Sequence, residues 1–181
     1  MSLPYSDTMG AMIRIVNKVS CMDERDAVKA LEQLVSGLSY KTIETNGSPY
    51  LTRWYVHPSV PRTLDNGDEL SSSPTAVFIH KFHRGDIDRE EHSHPWDVSM
   101  AIVLAGGYRE TRNGEIHREY RPGDMNIIRA DDYHKVELLD PGLGSWSLFV
   151  AGRGVSGWGF RDPRTGTVIP WQEYEDWKRR R

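Results

Sequence analysis

The chain has 181 residues, 38% of them hydrophobic and 27% charged, with a formal net charge of -3 at pH 7. That length suits one domain with a real core, and six Trp, eight Tyr and four Phe are too many aromatics for a disordered chain. The weakly acidic balance, with a pI near 6.2, excludes a surface built throughout for nucleic acid or anionic lipid.

Residues 1–40 read as a helical arm. Met12, Ile15, Val16 and Val19 recur at helical spacing, and after Asp23, an N-cap residue type, Ala27, Ala30, Leu31, Leu34 and Val35 trace a second apolar stripe that stops near Gly37. Residues 41–170 then carry short β-like runs at 41–45, 50–57, 76–83, 98–105, 107–112, 115–120, 125–129, 134–139 and 145–151, separated by Gly, Pro, Asn and Asp. Asn113-Gly114 between two such runs is a type I′ hairpin signal. Residues 58–75, rich in Pro, Ser and Asp, read as a loop. Eight or nine strands at this spacing predict a mainly β sandwich or barrel. Residues 171–181 read as a tail helix with Trp171, Tyr174 and Trp177 on one side.

The longest apolar run, Met100–Ala105, is far short of the about 20 residues a membrane span needs. Cys21, the one cysteine, rules out an internal disulfide, a CxxC redox site and a zinc ribbon. In the helical arm it reads as a small buried apolar residue. With no basic and apolar leader pattern in Met1–Asp7, the expected location is the cytoplasm, and neither a membrane nor a nucleic-acid partner is expected.

Seven histidines are present, at 57, 80, 83, 92, 94, 117 and 134. In an extended chain His92 and His94 point to one face and offer two imidazoles side by side. Imidazole suits Fe, Zn, Ni and Cu, whereas Mg and Ca prefer oxygen. His80 and His83 read as pointing to opposite faces of their strand, so at most one of them faces an interior. His57 and His117 read as surface residues.

The surrounding pattern resembles the cupin superfamily over about residues 76–152. Its first motif is a glycine, about five residues, HxH, three or four residues, a Glu, six residues and a glycine, onto which His92, His94 and Gly106 fall. Gly123-Asp124 and His134, eleven residues after Gly123, match the second. The sequence departs from the pattern at Ser99, which stands where the motif has its Glu. It departs again at Arg129 and Asp131, which replace the second motif's Pro and Gly, and at Gly85, displaced by one. A looser likeness joins Phe78–Arg89, His92–Asp97, Gly106–Glu110, Gly157–Phe160 and Pro170-Trp171. It is to small bacterial and phage-borne cupins of unassigned function.

The resemblance implies a cupin-type double-stranded β-helix, or jelly-roll barrel, and a metal site of His92, His94 and His134. Asp97 would either be a displaced fourth ligand or hold a histidine N–H from behind. The implied cofactor is a divalent transition metal, Fe(II) first, with Zn, Ni or Mn as alternatives. Three-histidine cupins of this kind resemble thiol and diketone-cleaving dioxygenases. The expected activity is therefore a non-haem iron dioxygenase-type oxidation of a small polar or anionic molecule. A metal-assisted isomerase, lyase or hydrolase, and a non-catalytic ligand-binding barrel, are the alternatives. Arg84, Arg109 and Arg129 lie near the motif ends, with Arg89, as candidates for clamping a substrate anion. The helical arm and Trp-rich tail resemble cupin dimerisation elements and imply a homodimer.

Overall fold

A computed structural model describes residues 5–19, 21–57, 61–63, 69–71, 76–86, 90–155 and 157–181. The chain opens with helices α1 (Tyr5–Val19) and α2 (Glu24–Val35). Asp23 caps α2 as its residue type demands, its Oδ1 accepting from the backbone N–H groups of Arg25 and Asp26, each at 3.1 Å. Cys21 lies in the turn between the helices and is exposed, not buried as its residue type suggested. The strands follow as β1 (Tyr40–Thr45), β2 (Ser48–His57), β3 (Pro61–Thr63), β4 (Glu69–Ser71), β5 (Ala76–Phe82) and β6 (Val98–Gly106). After these come β7 (Tyr108–Arg112), β8 (Glu115–Tyr120), β9 (Met125–Arg129), β10 (His134–Leu138), β11 (Ser145–Ala151), β12 (Gly159–Arg161) and β13 (Val168–Pro170). A 3-10 turn at Trp171–Glu173 leads into α3 (Tyr174–Arg179).

Six strands form one antiparallel sheet in the order β1-β2-β5-β11-β6-β9, and three more form the facing sheet β10-β7-β8. Together they make the double-stranded β-helix expected of a cupin. The hairpins close where the sequence signals them. Asn46 and Asn113 both sit at φ 53° before Gly47 and Gly114 at φ 71° and 87°, the two left-handed residues of a type I′ turn.

Strand alternation splits the larger sheet into two cores. Val77, Ile79, Leu104, Trp146 and Leu148 point outward and bury Val19, Ala27, Leu31 and Val35 of the two helices. Phe78, Ala101, Phe149 and Ala151 point into the barrel. Its first half buried on both faces, β5 opens with the unbroken apolar run Ala76–Ile79 before His80 and Lys81. The facing sheet closes the lumen with Tyr108, Tyr120, Val136 and Leu138 around Val103. One end is covered by the C-terminal elements, in which Phe160 stacks on Tyr174 with centroids 3.6 Å apart.

Gly106 joins the two sheets. It has φ 71°, and a Cβ there would lie 2.0 Å from the Gly144 carbonyl oxygen, so no side chain fits the bend from β6 into β7. Each of the nine expected β runs matches a strand. Pairs β3–β4 and β12–β13 are additions, three residues per strand and too short for periodicity to reveal. The first lies inside the 58–75 segment that reads as a loop; residues 58–60, 64–68 and 72–75 of that segment lie outside the described residues.

Candidate metal centre

The segment carrying His92 and His94 is not a regular strand but is pinned on two sides. His92 and His134 exchange backbone hydrogen bonds at 2.8 and 3.0 Å, and the Ser93 N–H donates to Gly159 at 3.0 Å. This clamp brings the three imidazoles into a near-equilateral triangle. Ring centroids are 5.2 Å apart for His92–His94, 5.0 Å for His92–His134 and 4.9 Å for His94–His134. One nitrogen from each ring lies within 4.8 Å of the other two. His92 and His134 are buried, and His94 is half-buried against Trp96, on which it stacks at 5.8 Å.

Proton positions follow from the partners. His134 Nδ1 lies 2.6 Å from Glu110 Oε1, and a carboxylate can only accept, so Nδ1 carries the hydrogen. Its Nε2 faces the cluster, where His94 Nε2 is 2.7 Å away. Burial pushes the His94 imidazole well below its ordinary pKa, and His134 and the Arg53 cation push the same way, so its ring is neutral and a competent ligand. Three imidazoles in a largely buried pocket suit a divalent transition metal and not Mg or Ca.

Glu110, on β7, is fully buried, and it escaped the sequence reading as a site residue. Its Oε1 also accepts from Asn126 Nδ2 at 3.0 Å, and its Oε2 from Arg112 Nη2 at 2.9 Å. Burial alone would raise its pKa. The hydrogen bond and charge of His134, with the bonds from Asn126 and Arg112, win and bring it down to about 2. Arg112 in turn bonds Asn126 Oδ1 at 2.9 Å and pairs with Asp132 at 3.3 Å. The carboxylate thus stands behind a histidine, where it orients the ring and fixes its tautomer. The available signal was alternation: Tyr108, Glu110 and Arg112 share the inward face of β7, an unusual place for charges.

The structure brings His92, His94 and His134 together and places the other candidates elsewhere. Asp97 is exposed, and its Oδ1 accepts from the adjacent Val98 N–H at 2.7 Å, which caps a turn. Ser99 is buried, with its hydroxyl 3.5 Å from the Ile128 carbonyl. Arg84 bonds the Thr45 carbonyl at 2.8 Å and the Thr45 hydroxyl. Arg109, on the opposite face of β7 from Glu110, pairs with Glu119 at 2.8 Å and Glu137 at 3.7 Å. Arg129 is exposed at the end of β9. Arg89 and the side chain of His57 lie outside the described residues.

Two further residues face the lumen beside His94. His80 is buried, stacked on Phe149 at 4.7 Å, and its Nε2 accepts from Arg53 Nε at 3.1 Å. Its strand neighbour His83 points the other way and meets the Thr52 hydroxyl at 2.9 Å. The Arg53 guanidinium lies over the Phe78 ring at 4.8 Å and the Trp96 ring at 5.8 Å. Arg53 sits in β2, upstream of both histidine motifs, where spacing carries no hint of the site.

A jelly-roll barrel with three histidines gathered inside it is a cupin-fold protein with a candidate metal centre. Among solved structures it is similar to a chain from crystal structures of the DMSP lyases RdDddP and RnDddQII, at 14% identity over 82% of this chain and 77% of that one, with TM-score 0.52. It is also similar to a cupin 2 conserved barrel domain protein from Rhodopseudomonas palustris, at 12% identity over 71% of this chain and 80% of that one, with TM-score 0.48. A third likeness is to HppE with Fe(II), at 10% identity over 65% of this chain and TM-score 0.47; the match spans 57% of that longer chain. At these identities the likeness extends to the fold alone. No family model matches the sequence, and no curated protein matches it. Among the described residues no helix is long and apolar enough to cross a membrane.

Proposed function

We propose that the chain is a metal-dependent cupin and, more narrowly, a non-haem iron dioxygenase-type oxidoreductase acting on a small anionic molecule. The observation that carries this reading is the donor set: three imidazoles, with the nearest carboxylate, Glu110, turned to His134 Nδ1 and not to the cluster. A ferrous ion held there would supply one-electron chemistry toward O2, and its charge, not offset by a carboxylate ligand, would favour an anionic substrate. The protein's own contributions are distinct. Glu110, Asn126 and Arg112 hold the His134 ring in one tautomer. Phe78, Phe149 and Trp96 wall the lumen against water, and the Arg53 cation lies beside His94.

The test is metal analysis of protein purified without a histidine tag, followed by oxygen uptake in the presence of small carboxylates and thiols. Stoichiometric iron with substrate-dependent O2 uptake is the expected result. Redox-silent zinc or nickel at the site would replace the dioxygenase reading with a metal-assisted lyase, isomerase or hydrolase. Absence of any stoichiometric metal would leave a binding barrel.

A further inference from the structure

We propose that the tip of the β7–β8 hairpin, Asn113-Gly114, gripped by Glu91 and Arg161, is the positioning element that holds the His92 segment in place against His134. The inference rests on the metal-site reading and adds what sets the spacing of its ligands.

His92 and His134 meet through a single bridge of two backbone hydrogen bonds, and neither Glu91 nor Ser93 belongs to a strand that would extend it. Two bonds with no ladder behind them open at low cost. On one side Ser93 is anchored to Gly159. On the other side the hairpin tip does the holding. Arg112 pairs with Glu115, so the turn between them has two residues, and a turn of that length leaves the N–H groups of both central residues out of the hairpin ladder. Here both are spent on neighbours of the histidines. The Asn113 N–H donates to the Tyr133 carbonyl at 2.9 Å, and the Gly114 N–H donates to Glu91 Oε1 at 2.8 Å. The second of these has a carboxylate as acceptor, the stronger kind of hydrogen bond.

Arg161 closes the circuit. Its backbone N–H donates to the Glu91 carbonyl at 2.8 Å, its Nη1 donates to Asn113 Oδ1 at 3.0 Å, and its guanidinium lies over the Tyr133 ring at 4.0 Å. Its neighbour Phe160 bridges to His92. Glu91 and Tyr133 each adjoin a histidine of the cluster, so the tip spans the two segments that must stay in register. The left-handed pair at φ 53° and 87° gives that tip a conformation set by its own sequence, a fixed point for both.

Glu91→Ala removes the acceptor of the Gly114 N–H, whereas Glu91→Gln keeps an acceptor oxygen and loses the charge. In the EDTA-treated full chain, hydrogen exchange read by NMR should accelerate about tenfold or more at the His92 and His134 amides of Glu91→Ala. Ile79 and Leu148, in the middle of the large sheet, should exchange as in wild type. Zn(II) affinity, measured by competition with a chromophoric chelator, should fall by about 10- to 100-fold, the usual effect of losing a contact behind a metal ligand. Glu91→Gln should stay within about threefold of wild type, because the bond survives. If Glu91→Ala does not fold, Arg161→Met, which removes the bond to Asn113 and the stack on Tyr133, takes its place with the same pattern expected. Unchanged exchange at His92 and His134, acceleration shared equally by Ile79 and Leu148, wild-type Zn(II) affinity, or a loss in Glu91→Gln as large as in Glu91→Ala would each overturn the proposal. A wild-type chain that binds no Zn(II) would remove the metal reading instead, and the exchange pattern alone would then decide whether the tip holds the two segments.

Discussion

Replacing Glu110 by Gln tests the buried network behind His134 more sharply than any histidine change. The carboxylate offers only acceptors, and all its neighbours are donors: His134 Nδ1 and Asn126 Nδ2 on one oxygen, Arg112 Nη2 on the other. Glutamine has one oxygen and one NH2 group. If the oxygen takes the His134 side, the amide hydrogens face the Arg112 cation; if it is flipped, they face two N–H donors. Either way at least one buried donor loses its partner, and the Arg112 charge loses its closest counter-ion.

Breaking a buried pair from one side costs about 3–5 kcal/mol. Arg112 is 14% exposed and keeps Asp132 at 3.3 Å, so the cost here should be about 2–4 kcal/mol. For a chain of this size that is a fall in Tm of roughly 4–15 °C, to be read in EDTA so that metal linkage does not enter. Arg112→Met measured alone and with Glu110→Gln completes a double-mutant cycle, with an expected coupling of about 1–3 kcal/mol. Metal affinity of the single Gln variant should fall by about 10- to 100-fold as the His134 ring loses its anchor. A stability change under about 0.5 kcal/mol together with unchanged metal affinity would show that the network neither supports the fold nor orients the histidine.

Three other outcomes follow from the same geometry. His134→Ala should lose stoichiometric metal while its circular dichroism remains that of a folded β protein, because the barrel sheets do not depend on the ion; retained metal would remove His134 from the ligands. Asp97→Ala should keep its metal and lose about 0.5–1.5 kcal/mol of stability from the missing turn hydrogen bond, whereas loss of metal on analysis would return Asp97 to the ligand set. Leu31→Ala should cost about 2–5 kcal/mol in urea unfolding, since Leu31 is wholly buried between α2 and the outer face of the sheet. A cost under about 1 kcal/mol would mean that α2 is only loosely applied to the barrel.

The barrel was legible because its strands carry strong local signals. Asn113-Gly114 demands a type I′ turn, and β5 and β11 are mostly apolar stretches of strand length. His92 and His94 were legible as a pair because strand spacing alone puts them side by side, and His134 because of its distance from Gly123. Asp97 misled because nearness in sequence to a histidine does not place a carboxylate beside it. The chain turns between Pro95 and Val98, and the side chain is used in that turn. Arg53, His80 and Glu110 stayed hidden for the converse reason. They reach the histidines only through the pairing of β2 with β5 and of β7 with β10, which no local pattern encodes. The same holds for Phe160, whose strand β12 has three residues yet bridges directly to His92.

Ser99 is where the cupin motif carries a carboxylate, and Glu110 changes what that departure means. A carboxylate bound to the ion would reduce its charge directly. In this chain the acid sits one imidazole further back, and its own charge is partly offset by Arg112. At roughly 5 Å and an effective dielectric near 20, a full charge is worth about 3 kcal/mol, so whether the carboxylate is compensated decides the sign of the potential in the lumen. Arg112 is shared between Glu110 and Asp132, so it offsets the Glu110 charge only in part, and a divalent ion held by the imidazoles would outweigh what remains. The substitution at Ser99 and the withdrawal of Glu110 behind His134 act in the same direction: neither position sets a carboxylate directly against the three histidines.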